Sequence, residues 1–161
     1  MSAAVETLKP AAVSFPSRAW FQQLANLMNA NRTRQEQLGY VDCIAQFTVL
    51  DGGPDGGPLS YRVTFEEFSA IAVEEAASRE LGDANFGLEG SHATWRAMIE
   101  SIVDGNGRPD LEHSLNRLSH MGTPMKLVAA DPVQADCYFR FNQSLQEFVN
   151  ACAQFTTVFG R

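Results

Sequence analysis

Residues 86–103 read Phe-Gly-Leu-Glu-Gly-Ser-His-Ala-Thr-Trp-Arg-Ala-Met-Ile-Glu-Ser-Ile-Val, and the rest of the chain is organised around them. Phe86 and Leu88 alternate with their neighbours, which predicts a short strand with one apolar face. Gly90 permits a turn, and Ser91 is a typical helix N-cap. The next apolar residues have the i, i+3, i+4, i+7 spacing of an amphipathic helix: Trp95, Met98, Ile99 and Ile102. A strand therefore leads directly into a helix whose apolar face either lies on the protein's own sheet or roofs an apolar cavity.

The chain before this segment begins with a predicted helix. Pro16 and Ser17 are typical of a helix start, and the apolar spacing predicts helix to Ala30. A polar stretch extends the same prediction to Gln37, before the glycine that follows.

Strands follow this helix. Residues 45–49 and 61–65 both alternate apolar and polar side chains, and the Gly- and Pro-rich residues 51–58 between them predict a hairpin. Residues 68–76 fit either a strand or a helix by periodicity, and we predict a third strand because strands surround them.

Downstream of residue 103 the pattern predicts two more helices and a strand. Residues 110–120 have leucines at helical spacing, and residues 125–129 are short and apolar, as in an edge strand. Asp131 followed by proline is typical of a helix start, and the predicted helix runs close to Phe155. The apolar stripe of this helix has alternating spacings of three and four: Tyr138, Phe141, Leu145, Phe148, Cys152 and Phe155.

Charge and cysteine content limit the partners and the compartment. Twelve basic and 19 acidic residues give a net charge of −7, so a nucleic-acid backbone is not an expected partner. No apolar run approaches the 18 residues of a membrane span, and the N-terminus does not resemble a signal peptide, so we expect a cytoplasmic protein that is not membrane-embedded. Three cysteines without Cys-x-x-Cys spacing suggest reduced thiols.

The sequence predicts no catalytic residue, no cofactor and no metal site. Its three histidines lack the spacing of a metal-binding pattern, and no nucleophile motif is present. An enzyme would need residues that converge only in space, and its best candidates are Ser91, His92 and Glu89. Because His92 lies off the apolar stripe, we expect it to be exposed to solvent.

The order of these elements resembles the sterol carrier protein type-2-like domains. The residues that carry the resemblance are Phe86-Gly-Leu-Glu-Gly-Ser91, Trp95 three residues after His92, and the stretch His120-Met-Gly-Thr-Pro-Met-Lys-Leu127. The resemblance covers roughly residues 45–127. It implies an α/β fold and noncovalent binding and transfer of a sterol, a fatty acid or a fatty acyl-CoA in a hydrophobic tunnel between sheet and helices.

We therefore predict an α/β (α+β) fold. Its curved five-stranded, mostly antiparallel sheet is covered on one face by helices, with a long C-terminal helix where the family usually has a short C-terminus. Residues 1–13 are expected to form a flexible tail, and residues 14–161 a single domain.

Two functions without catalysis follow from these predictions. The first is binding of a small hydrophobic ligand in an apolar tunnel, whose predicted lining is Trp95, Met98, Ile102, Leu118, Met121, Met125, Phe141, Leu145 and Phe148. The alternative is an interaction subunit that uses the apolar stripe of the last helix to form a homodimer or to dock on an enzyme.

Overall fold

A computed structural model describes residues 12–160 of the chain. The described helices, α1 to α6, are Arg18–Ala30, Arg32–Leu38, His92–Asp104, Leu115–Ser119, Pro132–Arg140 and Asn142–Asn150. The described strands, β1 to β7, are Ala12–Phe15, Val41–Val49, Leu59–Glu67, Ser69–Ala76, Phe86–Gly90, Lys126–Ala129 and Thr156–Phe159. Short 3-10 turns lie at His120–Gly122 and Ala151–Gln154.

Five of these strands form the main sheet in the order β4-β3-β2-β5-β6. All neighbouring pairs are antiparallel except β2 and β5, which run parallel. After the β2–β4 meander the chain returns to the middle of the sheet, where β5 pairs with β2. The predicted five-stranded, mostly antiparallel sheet is confirmed, including the strand at residues 69–76 and the edge strand after Met125.

The core lies between one face of this sheet and the helices. On β2 the inward side chains include Ala45, Phe47 and Val49, and all three are fully buried. Phe47 stacks on Phe21 of α1 and on Phe148 of α6, with ring centroids 5.3 and 6.1 Å apart. Helices from both ends of the chain therefore cover the same sheet face, as the sequence predicted.

The opposite face of the sheet is polar and is covered by the segment that joins β4 to β5. Arg62 donates from Nε to Gln46 Oε1 at 2.7 Å, and Thr48 and Ser60 share a hydrogen bond of 2.7 Å. Arg79, from the covering segment, forms an ion pair with the buried Glu89 at 2.8 Å. Buried polar groups on this face are thus paired, as burial away from water requires.

The first and last described strands form a second, two-stranded sheet. β1 pairs parallel with β7, in the register Ala12↔Thr156 to Phe15↔Phe159. Ala12 and Val13, which the sequence assigned to the tail, belong to β1, while the other residues of the predicted tail lie outside the described part of the chain.

The region predicted as one long C-terminal helix, residues 131–155, is two helices and a 3-10 turn, and β7 follows it. Phe141 has φ −105° and ψ 16°, which interrupts the helix between α5 and α6, and a 3-10 turn ends the helical region before Phe155. Tyr138 packs against Phe86 at 5.6 Å, whereas Phe148 packs against Phe65 at 5.0 Å. An apolar repeat of 3.5 residues drifts around a straight helix of 3.6 residues per turn, so a break lets both halves face the core.

Two other predicted helices are also shorter or divided. Asn31 separates α1 from α2, although Ser17 caps α1 as predicted, accepting from Trp20 N at 3.0 Å. The helix predicted at residues 110–120 is confined to α4, because Asp110 accepts from Glu112 N and bonds the His113 ring, which holds a turn instead. In residues 12–160 no helix is long and apolar enough to cross a membrane.

Candidate functional site

The strand-to-helix corner at residues 86–103 is built as the sequence predicts. Ser91 Oγ accepts from Thr94 N at 3.1 Å and caps α3. Trp95 is fully buried, and its Nε1 donates to the main-chain oxygen of Thr48 in β2 at 2.9 Å. The indole therefore ties α3 to the central strand with a hydrogen bond as well as by packing.

The residues predicted to line a tunnel are mostly packed core. Seven of them are buried: Trp95, Met98, Ile102, Leu118, Met125, Leu145 and Phe148. Phe141 is half-buried at the break between α5 and α6. Met121 is 84% exposed and so lies outside this cluster.

Two contacts show how closely this core is packed near the corner. A Cβ at Gly90 would meet Met125 Cγ at 3.1 Å and Trp95 Nε1 at 3.4 Å. Met125 N donates to Leu118 O at 3.0 Å, which brings the turn after α4 against the same corner. The structure thus brings Trp95, Leu118 and Met125 together.

A cleft lies beside this core, between α3 and the C-terminal strand, and we call it the α3–β7 cleft. It has a volume of about 610 Å³, within the range of small-molecule sites. Its apolar lining comes from both sides: Ile99, Val103, Ala153, Phe155 and Phe159. Glu100, Asp104, Thr156 and Thr157 are the polar lining. Sequence reasoning missed this site because it predicted no element beyond Phe155, whereas β7, one wall of the cleft, spans Thr156–Phe159.

Two of the three candidate catalytic residues are engaged elsewhere. Ser91 caps α3, and Glu89 pairs with Arg79. The structure shows no hydrogen bond among the side chains of Ser91, His92 and Glu89, all of which it describes. They do not form a nucleophile–base arrangement.

His92 is half-buried and not fully exposed as expected. Its ring lies 6.0 Å from that of Phe15 and 6.1 Å from that of Phe159, and its Nε2 is buried. The reason is the β1–β7 pair, which the sequence did not predict and which packs over the first turn of α3. Among residues 12–160, no group of three or more His, Cys, Asp or Glu side chains is arranged to hold a metal ion.

The fold is that of the sterol carrier protein type-2-like domains, which confirms the resemblance seen in the sequence at the level of fold. The chain superposes on sterol carrier protein 2 with a TM-score of 0.62, covering 87% of this chain and 98% of that one at 16% identity. A conserved hypothetical protein of Thermus thermophilus, described as a candidate sterol carrier protein, gives a TM-score of 0.62 at 14% identity. That superposition covers 93% of this chain and 96% of the other. No protein-family model and no curated protein sequence matches the chain.

Proposed function

We propose that this protein binds a small hydrophobic ligand without catalysis, and that the α3–β7 cleft is where the ligand binds. The observation that carries the proposal is a cleft of about 610 Å³, with apolar residues on both sides, in a fold shared with sterol carrier protein 2. Ligand sites combine apolar walls with polar groups, and the cleft has five apolar and four polar lining residues.

The residues that line the cleft differ in their exposure to solvent. Ile99 and Phe155 are almost completely buried and form its floor, whereas Val103 is 42% exposed at its side. Phe159 is half-buried and lies under the Arg96 guanidinium, 4.5 Å from the ring centroid. A ligand in the cleft would cover apolar surface that water now reaches, which is the favourable term in binding of this kind.

Charge at the cleft favours a neutral ligand. Glu100 and Asp104 both line it, and Arg96 pairs with Glu100 at 3.0 Å. One arginine facing two carboxylates leaves the rim acidic, which disfavours the carboxylate of a fatty acid and the phosphates of a fatty acyl-CoA. Of the three ligand classes implied by the resemblance, a sterol fits this rim best.

The tunnel predicted from the sequence stays a prediction. A ligand among Trp95, Met98 and Leu145 would have to displace packed side chains, since all three are fully buried. The stripe needed for the docking alternative is buried in the same core, because Leu145 and Phe148 of α6 are both fully covered. This burial gives no support to dimerisation or enzyme docking through that face.

Native mass spectrometry of the mildly purified protein, followed by titration with a fluorescent sterol, tests the proposal. Val103→Gln places a polar amide in the cleft and should weaken sterol binding about tenfold. The matched control is Val133→Gln, because Val133 is 71% exposed on α5 and lies outside the cleft. A protein that carries no co-purified lipid and binds no sterol or fatty-acid probe would refute the function. If Val103→Gln leaves sterol binding unchanged, the ligand does not bind in the cleft, and the predicted tunnel becomes the candidate site.

A further inference from the structure

The last turns of α3 place two carboxylates along the α3–β7 cleft. Glu100 and Asp104 both line the cleft, and because they are four residues apart they lie on the same side of the helix, where like charges repel. Asp104 is the last residue of α3, and no basic residue lies in the last turn. The C-terminal end of a helix carries partial negative charge, which favours cations and disfavours carboxylates. Both the spacing and the position of these carboxylates are therefore unfavourable for the helix by itself.

The charge of Asp104 is not balanced by a partner in the described part of the chain. Its side chain forms no hydrogen bond or ion pair within residues 12–160, whereas Glu100 pairs with Arg96 at 3.0 Å. No lysine, arginine or histidine lines the cleft. Charge placements that oppose the local structure are expected at functional sites. The unpaired carboxylate, at the border of a cleft with apolar walls, therefore indicates a site for a cation.

An organic cation suits this cleft better than a metal ion. Two carboxylates and the hydroxyl groups of β7 fall short of the roughly six oxygen ligands that a hard divalent cation takes. The other lining is apolar, with Ile99 and Phe155 as the floor and Val103 at the side, and it would cover hydrocarbon. An ammonium group offers its N–H donors to carboxylate oxygens and to a hydroxyl group such as that of Thr156, which also lines the cleft. Apolar surface and negative charge in one cleft together suit an amphiphile with a cationic head.

We propose that the α3–β7 cleft binds a long-chain primary amine, with the hydrocarbon chain on its apolar walls and the ammonium group beside Glu100 and Asp104. This inference rests on the proposed function, because it names a further ligand class for the same cleft. The amine shares the burial of hydrocarbon with a sterol. It adds an attraction between opposite charges that the sterol lacks, and that becomes a repulsion for the carboxylate of a fatty acid.

Calorimetric titration of the full lipid-free chain with dodecylamine, dodecanol and dodecanoate tests the inference. These amphiphiles have the same chain length and differ in the head group, so differences in Kd report on the acidic residues of the cleft. In about 0.01 M salt dodecylamine should bind at least about fivefold tighter than dodecanol, and dodecanoate should bind more weakly than both. In about 0.5 M salt the advantage of the amine over the alcohol should shrink below about twofold, because salt screens exposed charges.

A matched pair of variants separates attraction at the cleft from attraction to the protein as a whole. Asp104→Asn removes the unpaired carboxylate and should reduce the preference for amine over alcohol at least about threefold at low salt. Asp83→Asn changes the net charge by the same amount at an exposed residue outside the cleft, and should leave that preference within about 1.5-fold of the wild type. The urea midpoint of Asp104→Asn should be unchanged or slightly raised, since a negative charge leaves the C-terminal end of a helix. A weaker preference for the amine in this variant is then not a loss of folding.

Three results would overturn the proposal. Dodecanol that binds the wild type as tightly as dodecylamine would remove the preference for a cation and leave the proposed function standing. A preference that Asp104→Asn leaves unchanged, or that Asp83→Asn reduces equally, would assign the attraction to the net charge of the chain. A wild type that binds none of the three amphiphiles would contradict the proposed function of the cleft as well.

Discussion

The Trp95 side chain both packs in the core and forms a hydrogen bond to the central strand. Its ring packs 6.1 Å from Phe47 of the central strand and 6.2 Å from Phe15 of the terminal sheet. Its Nε1 satisfies the Thr48 carbonyl group, which is buried beneath it. One residue therefore joins the two sheets and the helix that follows β5, and it does so in a close-packed environment.

Substitution of Trp95 should reveal this dual role. Trp95→Ala should lower the free energy of unfolding by about 3–5 kcal/mol, because a large cavity replaces packed surface. Trp95→Phe should cost about 1–3 kcal/mol, since it removes the buried hydrogen bond from Nε1 to Thr48 O. Urea denaturation of the lipid-free proteins measures both values. A loss of only about 1–2 kcal/mol for Trp95→Ala would show that open space already exists beside the indole, as the predicted tunnel requires.

The three cysteines should differ sharply in reactivity. Burial raises the pKa of Cys43 to about 12, with smaller contributions from Cys137 and Asp42, and burial also raises the pKa of Cys152 to about 12. At pH 8 a thiol with that pKa is ionised in only about one molecule in 10⁴, and the thiolate is the reactive form. Cys137 is half-buried on α5.

We therefore expect one fast-reacting thiol per native chain at pH 8 in a colorimetric thiol assay, and three after denaturation. Cys137→Ser should abolish the fast reaction and leave the slow ones. The raised pKa values also predict that stability falls as pH rises above about 9, because the unfolded chain then releases thiol protons that the folded chain retains. Three fast thiols in the native wild type would contradict the burial of Cys43 and Cys152.

At the level of elements, α1 protects the edge of the main sheet. β4 is an edge strand, and Asn29 of α1 bonds both backbone groups of Ala70: its Nδ2 donates to Ala70 O at 2.9 Å, and its Oδ1 accepts from Ala70 N at 2.8 Å. Arg18 of the same helix donates to Val73 O at 2.9 Å. These side chains occupy backbone groups that another chain could otherwise pair with.

Asn29→Ala should lower the free energy of unfolding by about 1–2 kcal/mol, because two hydrogen bonds are lost at a partly exposed edge. It should also speed hydrogen exchange of the Ala70 amide. Asn26→Ala is the matched control, since Asn26 lies on the same helix and bonds only Gln22, and its effect should stay within about 0.5 kcal/mol. Equal losses for the two variants, or an Ala70 amide that exchanges no faster, would show that the edge does not depend on Asn29.

The elements that were predicted correctly are those specified by neighbouring residues. β5 and α3 follow from an alternation, a glycine and a capping serine that lie within a few positions of one another. β1 and β7 are only four residues each and pair across almost the whole chain, so no local pattern indicates them. The break at Phe141 likewise depends on where Phe86 and Phe65 lie in the sheet, which periodicity along one helix does not encode.

The same difference between local and long-range determinants explains why the predicted lining differs from the cleft. The lining predicted from α3 used its most apolar stripe, and in the structure Trp95, Met98 and Ile102 are core. The proposed cleft uses Ile99, at the side of that stripe, together with the exposed Val103, and its second wall is β7. The sequence singles out α3, which also borders the proposed cleft, but the position of the cleft depends on a strand pairing that only the folded chain contains.

On the scale of the whole molecule, charge should select the ligand. The chain carries a net charge of −7, and Glu100 and Asp104 place part of the negative charge directly at the α3–β7 cleft. An anionic amphiphile therefore meets repulsion both from the protein as a whole and from the rim, whereas a neutral sterol meets neither. Salt screens these interactions, with a Debye length of about 10 Å at 0.1 M.

Ionic strength consequently distinguishes the two kinds of ligand. Between about 0.01 and 0.5 M salt the Kd of a fluorescent sterol should change less than about twofold, because burial of hydrocarbon does not depend on screening. The Kd of a fluorescent fatty acid should fall over the same range, since salt weakens its repulsion from the acidic rim. Glu100→Gln should reduce this salt dependence, and Glu112→Gln, an exposed carboxylate outside the cleft, is the control. A fatty-acid affinity that instead drops steeply with added salt would indicate attraction between its carboxylate and a cation such as Arg96 or Lys126, and the acidic rim would then not govern the choice of ligand.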